Sequence, residues 1–218
     1  MTFSLIGRCP RTGQIGAASA TSHIAVGSRV AHCAAGIGAV LTQHRTDPRL
    51  GPRGLELLRS DCNARETVDA LVASTPHARW RQIAVLDATG GTAAYSGDRT
   101  RPEMSDATAE NIAAIGNILA NARVPAAMLR RFQADPTAPL AERLLSALEE
   151  GLAAGGQLDP VRSAHLVVVE THRFPLIDLR IDWHDQPVAE LRTLWNRYAP
   201  EMGRFLLRAL EPDNPLSV

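Results

Sequence analysis

The sequence predicts an α+β fold, a four-layer αββα sandwich built from two mainly antiparallel sheets. Runs typical of strands come in neighbouring pairs joined by short turns, which favours antiparallel hairpins. Runs typical of helices also come in pairs and lie between the groups of strands, which favours helical layers outside the sheets. A parallel, doubly wound sheet would need a helix after each strand, so this order of elements argues against it.

The first hairpin begins at the second residue. Apolar and polar residues alternate over Thr2–Arg8, and a second run of small and apolar residues follows at 14–20. Pro10 and Gly13 lie between the two runs and supply the fixed φ and the positive φ that a tight turn uses. Because a chain terminus frays unless a sheet holds it, we expect this hairpin to fix the position of Thr2.

The remaining elements are predicted from apolar runs and their boundaries. Glycines, prolines and polar turns bound strands at residues 38–43, 82–88, 92–96, 110–119, 164–170 and 176–182. Apolar stripes, with Pro or a cap residue at the start, predict helices from Pro52, from Asn63 with Glu66, from Pro125, and at residues 139–153, 188–197 and 201–210. We expect residues 27–35 to be extended and residues 97–107 to be irregular.

The length of 218 residues suits one domain with a small addition. We therefore assign residues 1–184 to an αββα domain and residues 185–218 to a C-terminal helical appendage. Phe205, Leu206 and Leu210 in that appendage are apolar without being needed by the sheets. They either dock on the body or form a dimer contact, and the sequence leaves both readings open.

Composition excludes several kinds of chemistry. The chain has 23 basic and 23 acidic residues, so no net charge points to nucleic acid or an anionic membrane as partner. All 23 basic residues are Arg, which rules out a Schiff-base Lys, a Ser–Lys dyad and a P-loop Lys. The three Cys at 9, 33 and 62 have spacings that suggest neither a disulfide framework nor a zinc site. Without a signal peptide or an apolar run long enough to span a bilayer, a cytoplasmic protein is expected.

No cofactor is expected, because no dinucleotide fingerprint, Walker motif or zinc-protease motif is present. Asp178 and Asp182 point to the same face of a predicted strand, and His184 and Asp185 follow closely. This grouping could hold a metal ion, but a solvated strand face followed by a turn is the commoner meaning of such a pattern.

Thr2 is the first candidate for chemistry. If Met1 is removed, Thr2 carries a hydroxyl nucleophile and an α-amine base on one residue. That amine has a pKa of roughly 7.7–8.0 before any perturbation, so part of it is neutral at cellular pH. The alternative is that Thr2 is simply the first residue of a strand.

Other candidates each have a functional and a structural reading. His23 is either a general base near Thr2 or a loop histidine bonded to backbone. Ser22 is a pocket hydroxyl or an ordinary turn residue. Asp47 caps a turn before a helix, or it lies in a pocket with Arg53, where the two would select a charged substrate.

The order of elements with a Thr-led hairpin resembles that of the N-terminal nucleophile (Ntn) hydrolases, which include proteasome β-subunits. More closely, the chain resembles a largely uncharacterised bacterial family assigned to that fold. The stretches that carry this resemblance lie at residues 1–4, 25–27, 36–40, 42–43, 51–58, 116–119, 140–144 and 178–182. The stretches at 51–58 and 116–119 are specific to the family, but neither indicates a particular reaction.

The resemblance implies amide hydrolysis through an acyl-enzyme, with a small amide or acyl-amino compound as substrate. Thr2 would be the nucleophile, and backbone N–H groups near Thr42 and Gln43 would stabilise the oxyanion. Asn117 would supply a side-chain amide to the same oxygen or orient the amine. A homodimer or higher homo-oligomer is expected.

Two features depart from the family pattern. In the proteasome branch a Lys lowers the proton affinity of the amine, and here His23 or Arg53 would have to replace it. If Met1 is retained, the amine is locked in a peptide bond and the base is missing. The alternative function is therefore a catalytically silent member that binds a small molecule or a partner in the same cleft.

Overall fold

The computed structural model of the chain describes residues 1–217. Its ten strands in this range are β1 Thr2–Arg8, β2 Ile15–Thr21, β3 Ala31–Ala34, β4 Gly38–His44, β5 Arg81–Asp87, β6 Thr92–Ser96, β7 Met104–Ala109, β8 Ile112–Asn117, β9 Ser163–Val169 and β10 Ile177–Ile181. Its six α-helices are α1 Leu50–Arg59, α2 Ala64–Ala73, α3 Val124–Gln133, α4 Leu140–Ala153, α5 Pro187–Tyr198 and α6 Met202–Leu210.

The strands form two antiparallel sheets. The larger sheet has six strands in the order β10-β9-β2-β1-β8-β7, and the smaller has four in the order β3-β4-β5-β6. The first hairpin pairs Thr2 with Thr21, and on the other side of β1 the register pairs Thr2 with Asn117. Thr2 therefore begins a strand at the centre of the larger sheet, with a neighbouring strand on each side.

Three apolar clusters separate four layers. Ile6, Leu41 and Ile115 belong to the cluster between the two sheets. A second cluster fills the space between the larger sheet and α3, α4 and α5, and a third fills the space between the smaller sheet and α1 and α2. This arrangement confirms the predicted α+β class and its αββα order of layers.

Local chemistry explains the helix ends that the sequence predicted. Asn63 accepts a hydrogen bond from the Glu66 amide at 3.0 Å, and the Glu66 carboxylate accepts one from the Asn63 amide at 2.9 Å. These two bonds form a capping box that begins α2. Gly155 and Gly156 adopt positive φ after α4, as expected where a glycine stops a helix.

Two segments differ from their predictions. Residues 97–107 were expected to be irregular, but β7 occupies most of their second half. β7 is an edge strand whose residues are exposed or half-buried, so it lacks the apolar alternation that marks a strand with a buried face. The stretch expected to be extended at 27–35 begins with a 3-10 turn at Val26–Ser28, and only Ala31–Ala34 form a strand.

The C-terminal helices differ in how they contact the body. Leu191 and Trp195 of α5 are buried in the cluster beneath the larger sheet, so α5 completes one of the helical layers. No side chain of α6 is fully buried, although Phe205 lies 5.5 Å from the ring of Tyr198. The predicted boundary at residue 184 stays a prediction. No helix within residues 1–217 is both long and apolar enough to cross a bilayer.

Candidate functional site

The two threonine hydroxyls at the start of the larger sheet lie together. Thr2 Oγ1 is 3.1 Å from Thr21 Oγ1, and both side chains are buried. Both hydroxyls donate to the Met1 carbonyl oxygen, with a distance of 2.6 Å for Thr2. A carbonyl placed beside Thr2 is therefore held by two hydroxyl donors, a geometry that polarises it.

The α-amine of Met1 is partly buried and lies near charged side chains. Burial lowers the pKa of the Met1 α-amine, Asp159 raises it, and Arg101 lowers it. The Met1 sulfur accepts a hydrogen bond from the Asp159 amide at 3.2 Å, so this side chain fills space beside residues 157–159. A Thr2 amine freed by loss of Met1 would lie one residue further into the sheet, where burial also disfavours the charged form.

A chain of buried amide side chains lies between the sheets next to Thr2. Ser4 donates to Gln43 Oε1 at 2.9 Å, and Gln43 Nε2 donates to Gln82 Oε1 at 2.8 Å. Asn117 Nδ2 donates to the same oxygen of Gln82 at 3.0 Å. The side-chain nitrogen Nε2 of Gln82 in turn donates to the Gly116 carbonyl oxygen at 2.9 Å. This bond fixes the orientation of the Gln82 side-chain amide.

One acceptor in this network lacks a partner among the described residues. Asn117 Oδ1 is buried and makes no hydrogen bond within residues 1–217. An unsatisfied buried oxygen costs about 1–3 kcal/mol, so such an atom calls for an explanation. Because Asn117 is directly opposite Thr2 in the register, a donor at the Thr2 nitrogen or on a bound amide could satisfy it.

The structure therefore brings three predicted residues together. Thr2, Gln43 and Asn117 lie around one point between the sheets, and Gln43 Nε2 is 3.4 Å from the Thr2 carbonyl oxygen. The predicted backbone donor at Thr42 is engaged elsewhere, because its amide donates to the Val30 carbonyl at 3.0 Å. In its place, the Thr21 hydroxyl is the donor that the structure places beside Thr2.

His23 and Ser22 lie just beyond the strand that carries Thr21. The His23 side chain is exposed, and its ring makes no hydrogen bond to any described residue, while its carbonyl accepts one from Ser163 Oγ at 2.6 Å. Ser22 is half-buried. Neither side chain is hydrogen-bonded to Thr2 in the described part of the chain, and their roles stay predictions.

Asp47 and Arg53 line a separate cavity of about 270 Å³. The Asp47 carboxylate accepts two side-chain hydrogen bonds from Arg49, each of 2.8 Å, and Arg81 lies 3.6 Å away. These Arg49 hydrogen bonds lower the pKa of Asp47 to about 2. Arg53 donates to the Ser74 carbonyl at 3.3 Å. The pair does share a pocket, but the Asp47 charge is already matched within the chain.

Sequence reasoning missed three residues near Thr2: Thr21, Gln82 and Arg101. Thr21 could have been found, because a hairpin whose turn lies at residues 10–13 places it opposite Thr2. Gln82 belongs to the other sheet, and its neighbours depend on how the sheets stack. Arg101 lies in the stretch that was expected to be irregular, where the Ile118 amide donates to its carbonyl at 3.3 Å.

The candidate metal grouping is not assembled. Within the described chain, no three His, Cys, Asp or Glu side chains come close enough to hold a metal ion. Asp178 instead forms a 2.9 Å hydrogen bond with His165 Nε2, and Asp185 pairs with Arg162.

Solved structures of three proteins are similar to this chain. The crystal structure of a Silicibacter pomeroyi protein is 30% identical in sequence, with 90% of this chain and 88% of that chain covered and a TM-score of 0.84. A mutant of Anbu from Hyphomicrobium sp. strain MC1 is 13% identical, with 92% and 96% covered and a TM-score of 0.45. Anbu from Yersinia bercovieri is 12% identical, with 89% and 93% covered and a TM-score of 0.40.

No curated protein matches the chain significantly in sequence. The Silicibacter protein is described as belonging to DUF1028, and the sequence model of that family matches residues 2–191 of this chain. This chain therefore belongs to the family of unknown function called DUF1028.

Proposed function

We propose that this protein is an amidohydrolase that uses Thr2, after removal of Met1, to cleave a small amide or acyl-amino compound. The observation that carries the proposal is the cluster at the start of β1. There, the Thr2 hydroxyl lies 3.1 Å from a second hydroxyl, and Thr2 pairs in register with Asn117, whose buried amide oxygen has no hydrogen-bond partner within residues 1–217. The αββα layers and the central position of β1 match the arrangement expected for an Ntn hydrolase.

In this proposal, residues of the chain carry out each step of the hydrolysis. The freed amine of Thr2 takes the proton of the Thr2 hydroxyl as its oxygen attacks the carbonyl carbon. The Thr21 hydroxyl donates to the oxygen that becomes negative, in the way that it now donates to the Met1 carbonyl. The amine then protonates the leaving nitrogen, and water hydrolyses the ester formed on Thr2.

Asn117 and Arg101 favour the amine as a base. The free Asn117 oxygen accepts a hydrogen bond from the amine and orients it. Burial lowers the pKa of the amine at the chain start, Asp159 opposes that effect, and the Arg101 charge lowers the pKa further, in the sense that the missing Lys would have done. His23 and Arg53 are not needed for this role.

The test uses a β-lactone, which opens when a nucleophile attacks its carbonyl and leaves an ester on that nucleophile. Protein shown by intact mass to lack Met1 is incubated with the probe and then digested. We expect the added mass on the peptide that begins at Thr2, none in the Thr2→Ala protein, and an unchanged level in Thr12→Ala, which alters an exposed turn threonine. Equal labelling of the Thr2→Ala protein would refute the proposal.

A binding function without catalysis is the second candidate, and it is favoured if Met1 stays attached. In that state Thr2 is only 7% exposed and its nitrogen is part of a peptide bond, so the site has no base and little access. A silent member that binds a small molecule or partner would keep Met1 in protein purified from its own host. N-terminal mass analysis of that protein separates the two functions.

A further inference from the structure

A second cavity lies at the end of the sandwich opposite to Thr2. This distal cavity has a volume of about 710 Å³ and is lined by Cys33, Ala34, Ala35, Ile37, Leu55, Arg59, Val169, Thr171, His172 and Arg173. Val169 pairs with Ile15, at the far end of the strand that carries Thr21. Six residues of strand, roughly 20 Å, therefore separate this cavity from Thr2.

Part of the lining of the distal cavity is apolar. Ile37, Leu55 and Val169 present aliphatic side chains, and Cys33 adds a thiol. Burial, with a smaller contribution from Asp178, raises the pKa of the Cys33 thiol to about 12, so this group is neutral. A volume in the range of small-molecule sites and these apolar side chains suit the body of an organic ligand.

The basic side chains of the distal cavity come from two elements. Arg59 comes from the end of α1, and His172 with Arg173 follow β9. Arg59 forms an ion pair with Glu56 at 2.5 Å, whereas Arg173 has no ion pair within residues 1–217. None of the described lining residues is acidic, so the lining carries positive charge that the chain does not fully match.

We propose that the distal cavity binds a small molecule with an apolar chain that ends in an oxyanion, a carboxylate or a phosphate. The chain lies against Ile37, Leu55 and Val169, and the oxyanion accepts hydrogen bonds from Arg173 and Arg59. A guanidinium presents paired N–H donors that match both oxyanions, so the two arginines suit either head group. This binding does not depend on Thr2 or on the removal of Met1.

The experiment is calorimetric titration of the full chain with octanoate, octyl phosphate and octanol. We expect at least one of the two anions to bind with an affinity at least about tenfold higher than that of octanol, because only the anions engage the guanidinium groups. The tighter of the two anions identifies the head group. Octanol binding as tightly as both anions would overturn the proposal.

Two variants and one matched control locate the site. Arg173→Met keeps an apolar stem but removes the charge. We expect it to weaken the binding of the anions about tenfold and to leave the binding of octanol unchanged. Ala35→Glu places a negative charge in the lining. This charge repels the anions and is expected to abolish their binding. Arg99→Met makes the same charge change at an exposed position that does not line the cavity. Equal weakening by Arg99→Met and Arg173→Met would show that the anions bind through net charge alone, and would refute the proposal.

Discussion

Gln82 joins the two sheets at the candidate site through a single side chain. Its oxygen accepts from Gln43 and Asn117, and its nitrogen donates to the Gly116 carbonyl and to Ser96. Because the oxygen serves two buried donors, it contributes more than one hydrogen bond to the stability of this end of the sandwich. It also sets the direction in which the Asn117 amide points, and hence the position of Asn117 Oδ1, which has no partner in the described part of the chain.

We predict that Gln82→Met lowers the free energy of unfolding by about 2–4 kcal/mol, since two buried N–H donors lose their acceptor. Urea denaturation at neutral pH measures the change. Ser96→Ala serves as the control, because Ser96 is only half-buried, and it should cost less than about 1 kcal/mol. A Gln82→Met protein as stable as the Ser96→Ala protein would contradict the network described here.

The Asp47 carboxylate makes stability depend on pH. Hydrogen bonds from Arg49 lower the pKa of Asp47 to about 2 from its ordinary value of 3.8, so the folded state favours the ionised form. The stabilisation is present above pH 3.8 and is lost as the pH falls through about 2.

We expect Asp47→Asn to lower the free energy of unfolding at pH 7 by about 1–2 kcal/mol, a value reduced because Arg49 is largely exposed. The difference from the native protein should shrink as the pH falls from about 5 towards 2. Chemical denaturation at several pH values measures this difference. A difference that stays constant down to pH 2 would assign the effect to packing rather than to charge.

At the scale of elements, the contact between β1 and α3 depends on a glycine. A Cβ added at Gly7 would lie 2.6 Å from the Phe132 ring, which is itself buried beneath the larger sheet. The strand that begins with Thr2 is thus held at its other end by close packing against a helix.

Gly7→Ala is predicted to destabilise the protein by about 1–3 kcal/mol through overpacking against that ring. Gly203→Ala is a matched substitution in α6, where nothing lies within 4 Å of the added Cβ. It should be neutral or stabilise by about 0.5–1 kcal/mol, because alanine favours a helix more than glycine does. Thermal unfolding of both proteins tests the contrast, and a Gly7→Ala protein with an unchanged melting temperature would be inconsistent with it.

Element prediction from the sequence succeeded where local chemistry decides the structure. The first hairpin, the Asn63 cap and the glycines after α4 all act through residues a few positions apart. β7 could not be predicted in this way, since its strand state depends on pairing with β8 rather than on its own pattern. The same limit explains the site: Thr2 was visible in the sequence, whereas its proximity to Gln82 depends on the stacking of two sheets.

At the scale of the whole molecule, the final two helices contribute unequally. Leu191 and Trp195 place α5 in the largest apolar cluster, and α6 adds only half-buried or exposed side chains. The homodimer contact predicted for the apolar residues of α6 stays a prediction.

We predict that a chain ending at Ala199 keeps its fold and loses about 1 kcal/mol or less, whereas a chain ending at Gln186 loses at least about 4 kcal/mol. Circular dichroism and thermal unfolding measure both, and size-exclusion chromatography of the first truncation tests the role of α6 in association. Equal stability of the two truncations would show that α5 is not part of the body.

The position of β1 between β2 and β8 has a practical consequence for anyone producing the protein. A purification tag fused ahead of Met1 would have to leave from the middle of a sheet, past Asp159 and Arg101, and it would keep the Thr2 nitrogen acylated. Handles for affinity capture or immobilisation therefore belong at the other terminus, after α6, where no side chain of the last helix is buried. Material prepared that way leaves Met1 free to be removed from Thr2, and negative assays on front-tagged protein carry no weight against an enzymatic role.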